Sequence, residues 1–133
     1  MRTLAKNRHC VHSLIYHVIL VVKYRRKVFS SEIQDFLKLT IEKISSNNSI
    51  EVIEIGCDKD HVHFLIKTQP TTLLTRYINT IKTISSREIR RNFPETKEKL
   101  WGKSFWSPSY FLATSGYVSI DTLEEYLRLQ NET

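Results

Sequence analysis

The first sustained pattern along the chain is a period of two over residues 11–22. Leu14, Tyr16, Val18, Leu20 and Val22 share one parity, and Ile15, His17, Ile19 and Val21 share the other. Successive side chains of a strand point to opposite faces, so apolar residues on both faces predict a central strand. The period then changes. Ile33, Phe36, Leu37, Thr40, Ile41 and Ile44 recur at helical spacing, with Ser30 or Ser31 as N-cap, Glu32 in the first turn and an end near Asn47-Asn48. Residues 50–57 predict a strand with Ile53 and Ile55 on one face. Asp58-Lys59-Asp60 is a short turn, and residues 61–67 alternate again, so the two strands form a hairpin. Pro70 breaks the chain. Residues 73–93 predict a second helix with Leu74, Ile78, Ile81, Ile84 and Ile89 inward, closed by Pro94. A polar, irregular stretch over residues 95–103 leads to a fourth strand at 110–114. Gly116 turns the chain, and Ser119 caps a last helix running from Ile120 to about Asn131.

The resulting order, β-α-β-β-α-β with an added C-terminal helix, predicts an α+β, ferredoxin-like (RRM-like) fold: an antiparallel sheet with two helices on one face. One domain spans residues 1–133, divided into a loose basic arm at 1–10, the core at 11–115 and the last helix at 119–131. Val62, Phe64 and Ile66 must cover the helices, so His61 and His63 look out from the open face. Two neutral imidazoles on one rigid face are a ready pair of metal ligands. A His-x-His pair in a strand is more often two half-exposed polar residues than a metal site, so the pair alone does not establish one.

Charge changes the picture. Twenty Lys and Arg against fourteen Asp and Glu give a net charge of +6 over 133 residues, which favours a polyanionic partner, nucleic acid before an anionic membrane surface. Lys23, Tyr24, Arg25, Arg26 and Lys27 place four cations around one aromatic where a strand meets a loop, a composition that can hold phosphates and stack a base and that taken alone reads as well as a solvated charge run. Lys82 and Arg87 on the second helix, and Trp106 in the aromatic run at 105–111, are further candidates for DNA contact. Cys10 and Cys57 have neither metal-ligand spacing nor a disulfide framework, which fits a reducing cytoplasm. The longest apolar run, residues 18–22, is far shorter than the ~20 residues needed to cross a bilayer.

On the last helix Ile120, Leu123 and Leu127 form one stripe, with Tyr126 at its edge and Gln130 within it, one turn from Tyr126. Most helical tyrosines pack, and Tyr126 is open to that reading. It is also a phenol beside an amide oxygen. With two imidazoles and a Mg²⁺ or Mn²⁺ ion, such a set can break a DNA phosphodiester by transesterification. Tyr16, Tyr24, Tyr77, Tyr110 and Tyr117 lack a ligand-capable residue at i+4 beside an apolar docking stripe.

Four segments carry a resemblance: Tyr16-His17 with residues 23–29; Asp58-Lys59-Asp60-His61-Val62-His63-Phe64-Leu65; Leu100-Trp101 with residues 106–111; and Tyr126-Leu127-Arg128-Leu129-Gln130. In this order the chain resembles the single-tyrosine HUH transposases of small bacterial and archaeal insertion sequences. The resemblance implies that His61 and His63 are metal ligands, Gln130 the third protein ligand and Tyr126 the nucleophile, with Mg²⁺ or Mn²⁺ as cofactor. It implies cleavage and rejoining of single-stranded DNA at element ends through a 5′-phosphotyrosine, recognition of subterminal hairpins, and a homodimer whose active sites are composite between subunits. The rival from the residues themselves is a non-catalytic single-stranded nucleic-acid-binding module of the same topology. A domesticated, inactive descendant is a further rival, against which the intact His61, His63, Tyr126 and Gln130 count.

Overall fold

A strand with apolar residues on both faces needs neighbours on both sides, and residues 14–21 have them. The computed structural model describes residues 5–6, 11–12, 14–100, 102, 104–114 and 120–130. Two short strands, β1 (Ala5–Lys6) and β2 (Val11–His12), pair with each other as a small separate sheet. The main sheet begins at β3 (Leu14–Val21), three residues later than the alternation predicted, because the backbone of Val11 and His12 turns to Lys6 and Ala5 instead. Strands β4 (Glu51–Cys57), β5 (His61–Thr68) and β6 (Phe111–Thr114) complete an antiparallel sheet in the order β4-β5-β3-β6. This is the ferredoxin-like arrangement expected from the element order.

Helices α1 (Ser31–Asn47) and α2 (Leu74–Asn92) cover one face. Ser30 is the N-cap of α1: its hydroxyl accepts the Ile33 amide at 3.3 Å, a contact worth about 1 kcal/mol. Ile33, Leu37, Ile41 and Ile44 of α1, with Ile78, Ile81 and Ile89 of α2, pack with Val18, Leu20, Val22, Val62, Phe64 and Ile66 of the sheet. The 3₁₀ turn at Pro94–Glu98 follows α2, and Phe93 packs edge-on against Phe36 with centroids 5.3 Å apart. The expectation for β4 needs a correction. The register shifts between Val52 and Glu54, a bulge that interrupts alternation, so Val52 and Ile55 pack on the core while Ile53 is left 42% exposed.

The opposite face is not fully open. Ile15, Ile19 and Val21 of β3 are buried there, outside the principal core cluster. Helix α3 (Ile120–Leu129) approaches this side through Tyr126, whose ring packs against Phe111 of β6. The Ser119 cap, the Gly116 turn, Tyr117, Trp101, Cys10 and the side chains of Ile120 and Leu123 lie outside the described residues. Among the described residues no helix is long and apolar enough to cross a membrane.

One buried polar contact ties the two helices. The Ser45 hydroxyl donates to the Ile41 carbonyl at 2.6 Å, which leaves it to accept from the Tyr77 hydroxyl, also at 2.6 Å. Burial pushes the Tyr77 phenol up to about 12. Replacing Tyr77 by Phe removes only the donor, and is expected to cost about 1 kcal/mol. Urea unfolding checks this: the midpoint falls while the slope with denaturant is unchanged.

Candidate functional site

The alternation of β5 sends Val62, Phe64 and Ile66 into the core and His61 and His63 to the other face. The two rings lie 6.0 Å apart between centroids, tilted by 32°. His61 is only 8% exposed, more sheltered than a position on an open sheet face predicts, whereas His63 is exposed. The Asp60 carboxylate holds His61 Nδ1 at 2.8 Å, and this fixes the ring and leaves Nε2 as its free nitrogen. Burial, and next the neighbouring His61, push the His63 pKa below the ordinary imidazole value, with Glu54 and Asp58 acting the other way. A neutral ring is the form that binds a metal. Bound imidazoles place their nitrogens about 2.1 Å from an ion, so two rings at this separation can share one. The donor set therefore fits a divalent cation.

The register extends this pair across the sheet. Residues directly opposite on neighbouring strands share a face. His63 faces Gly56 of β4 and Ile19 of β3, and Ile19 faces Phe111 of β6. The Tyr126 ring then packs on Phe111 at 5.5 Å. The neighbouring row starts at His61 and crosses to Val21, whose carbonyl accepts the Ser107 amide at 2.7 Å. The Ser107 hydroxyl in turn donates to Gln130 Oε1 at 2.7 Å. Two rows thus run from the imidazole pair to the two polar residues of the last helix. With strands about 4.8 Å apart, His63 and Phe111, two strands away, are about 10 Å apart at the backbone.

The last helix is docked by named contacts. Gln130, 5% exposed, accepts from the Ser109 hydroxyl at 3.1 Å as well as from Ser107. The Tyr126 hydroxyl lies 3.3 Å from Ser109 Oγ. Burial raises the Tyr126 pKa, and the Ser109 contact opposes this. The structure brings Tyr126 and Gln130 to the face that carries the histidines, with Tyr126 packed on Phe111, two strands from His63, and the Gln130 oxygen engaged by the two serines. Among the described residues no third His, Cys, Asp or Glu gathers with the pair as a metal-holding group.

The expected DNA-contacting residues divide. Tyr24 is exposed, with Lys23 Nζ 5.3 Å and the Arg26 guanidinium 5.2 Å from its ring centroid, and Lys27 is exposed beside them. Arg25 instead turns inward, donating from Nε to Asp60 at 3.0 Å. Trp106 is not a surface stacking residue. It is buried against Phe29 and Phe105 and donates its indole N–H to Ser85 Oγ at 3.0 Å, so the expectation that it contacts DNA is corrected. Lys82 is half-buried, and its ammonium donates to the carbonyls of Ser107, Pro108 and Ser109 at 2.9, 3.3 and 3.2 Å. Burial lowers its pKa. It shapes the loop that receives the last helix and is committed there. Arg87 is exposed and near Glu88.

Four contributors were not visible as site residues in the sequence. Asp60 was read as a turn residue, although a carboxylate next to a candidate metal-ligand histidine is a usable signal. Ser107 and Ser109 carry no pattern of their own. Gly56 matters by lacking a side chain: a Cβ there would lie 2.6 Å from both Cε1 and Nε2 of His63, so the ring lies across the glycine. His17, whose face depended on register, joins the histidine side opposite Leu65, and with Glu54, Gly56 and His63 lines a depression of about 320 Å³.

The family model and relatives that match this chain define a transposase, an enzyme class that cuts and rejoins DNA. The family described as "Transposase IS200 like" matches residues 10–130, and the chain belongs to it. The ISDra2 transposase TnpA of Deinococcus radiodurans is 35% identical over 127 residues, covering 96% of this chain and 91% of that protein. The transposase of insertion sequence element IS200 from Salmonella typhimurium is 26% identical over 117 residues, 88% of this chain and 76% of the relative. A crystal structure of a Deinococcus radiodurans protein described as a transposase superposes with a TM-score of 0.88 at 30% identity, covering 96% of this chain and 98% of that one.

The Gly56 contact makes a local prediction. Gly56→Ala must displace the His63 ring, because the clash is with the imidazole rather than with the backbone. The ring resonances of His63 are expected to shift strongly by NMR, while unfolding stability changes by less than about 1 kcal/mol. Unmoved His63 resonances would show that the glycine is not what seats the ring.

Proposed function

We propose that this transposase cleaves single-stranded DNA with Tyr126 as nucleophile, at a site that also needs His61, His63 and Gln130. The observation that carries the reading is the pair of rows across the sheet, which start at the two imidazoles and end at Tyr126 and Gln130. The phenol attacks the scissile phosphorus, the bond to the 3′ oxygen breaks, and that oxygen leaves with a proton as a free 3′-OH. The DNA 5′ end stays on Tyr126 as a phosphotyrosine. A 3′-OH of another end then attacks, releasing the phenol. One ester replaces another at each step, so no nucleotide cofactor is required. His61 and His63 would hold a Mg²⁺ or Mn²⁺ ion, with Gln130 as an oxygen ligand, and the ion would supply polarisation of the phosphate. Asp60 orients His61 for that role. Lys23, Tyr24, Arg26 and Lys27 form the strand-binding edge, with cations for phosphates and a ring for a base.

Tyr126 and the histidines lie on one face but two strands apart, and Gln130 is held by serines. An active arrangement therefore requires the helix to leave Ser107 and Ser109. A homodimer offers the histidine pair of the partner subunit as the destination, so each active site is composite. Family resemblance adds that the DNA partner carries subterminal hairpins at insertion-sequence ends.

The test is covalent capture. Incubated with single-stranded element-end DNA and Mg²⁺ or Mn²⁺, then denatured, the protein is expected to carry a DNA adduct that Tyr126→Phe abolishes. A mobility shift without any adduct would favour the non-catalytic binding module. A tyrosine phenol is protonated near neutrality, and adduct formation is expected to rise from about pH 7 to about pH 9 rather than level off. Mixing His63→Ala chains with Tyr126→Phe chains tests the composite site. Random pairing makes half the dimers mixed with one intact site of two, so about a quarter of the wild-type adduct should return, all of it on the His63→Ala chain. No recovery means that Tyr126 acts within its own subunit.

A further inference from the structure

Arg25 occupies a position that the reaction as described leaves without a task. Its Nε donates to Asp60 Oδ2 at 3.0 Å, and the other oxygen of the same carboxylate holds His61 Nδ1 at 2.8 Å. Its Nη1 donates to the carbonyl of Leu127 at 3.4 Å. Leu127 lies in the last turn of α3, where the final four carbonyls have no intrahelical partner. A cation there also complements the negative end of the helix dipole. One guanidinium therefore touches both the carboxylate that orients His61 and the helix that carries Tyr126.

The setting supports a specific role. The Asp60 side chain is 7% exposed and that of Arg25 is 27% exposed, so the ion pair is more shielded from water than a surface pair. The backbone is bent to aim it. Tyr24 and Arg25 have φ of 58° and 53°, two successive non-glycine residues in the left-handed region, which costs about 1 kcal/mol or more for each. The turn is held by the Arg25 amide donating to the Val22 carbonyl at 2.8 Å. A lysine could keep the charge but has no planar fork to serve the carboxylate and the carbonyl together.

We propose that Arg25 is a positioning residue that couples the Asp60–His61 pair to the resting position of the last helix, so that ordering of that pair and docking of the Tyr126 helix on its own subunit reinforce one another. The proposal rests on the reading of His61 as a metal ligand and Tyr126 as nucleophile. An ion on the histidine pair fixes His61 and with it Asp60, and through Arg25 the end of α3. Coupling of this kind is reciprocal: whatever factor the ion adds to helix docking, docking adds to ion affinity.

Hydrogen exchange of residues 120–130 in the intact, DNA-free protein, with and without saturating Mn²⁺, tests this. In the wild type Mn²⁺ should slow exchange of the helix by a factor of about five or more. In Arg25→Lys that protection should disappear while Mn²⁺ still binds, with its affinity weaker by a similar factor. Lys82→Met, which loosens the 107–109 loop from the other side, should speed exchange of the helix yet keep the Mn²⁺-dependent difference. Mn²⁺ that binds the wild type without protecting the helix, or protection that persists in Arg25→Lys, overturns the coupling and leaves the cleavage reading intact. Failure of Mn²⁺ to bind the wild type overturns both, and failure of the adduct assay alone identifies the cleavage reading as the fault.

Discussion

Everything about the site depends on the register of one strand. β5 is buried between β3 and β4, and its alternation puts Val62, Phe64 and Ile66 into the core. Burial of each such side chain contributes about 1.5–3 kcal/mol. A slip by one residue would bring all three out and drive two imidazoles in, without partners for their ring nitrogens. The hydrophobic term therefore fixes where the histidines point, and the same constraint gives them a common face and a separation of 6.0 Å. Asp60 then adds direction to what the strand supplies in position, by holding His61 Nδ1.

The second half of the site is held by weaker and more exchangeable contacts. Among the described contacts, helix α3 meets the rest of the chain through serine hydroxyls on Gln130 and Tyr126, a ring contact with Phe111 and the Arg25 guanidinium on its last turn. Hydrogen bonds of this kind contribute about 1 kcal/mol each, and a short helix has little stability of its own. Such an element can be released and re-docked at a cost the DNA complex can meet, whereas β5 cannot move without unfolding the sheet. A rigid imidazole pair and a detachable helix are a physically coherent division for the proposed reaction, in which a strand end must be held and later passed on.

The fold was legible because its information is periodic. Alternation over residues 14–22 and 61–67 and helical spacing over 31–47 and 74–92 specify faces, and the βαββαβ order leaves few topologies. The Ile53 misassignment came from a bulge, which breaks periodicity without leaving a mark in composition. The candidate residues His61, His63, Tyr126 and Gln130 stood out in sequence because their spacings have strand and helix meaning, and the structure gathers them on one sheet face. Their supporting shell did not stand out. Lys82 and Trp106 look in sequence like a cation and a ring for DNA, and only tertiary packing turns them into the loop organiser and the core residue they are. Gly56 acts through a missing atom, and Ser107 and Ser109 act through hydroxyls that any loop offers.

The central claim is that the two imidazoles are one metal-binding unit awaiting a helix. The most direct measurement is a titration of the DNA-free protein with Mn²⁺, followed by paramagnetic broadening of side-chain resonances. The ring signals of His61 and His63 are expected to broaden first and together, at well below one equivalent. Sharp signals from both imidazoles, with broadening confined to carboxylates elsewhere, would contradict it.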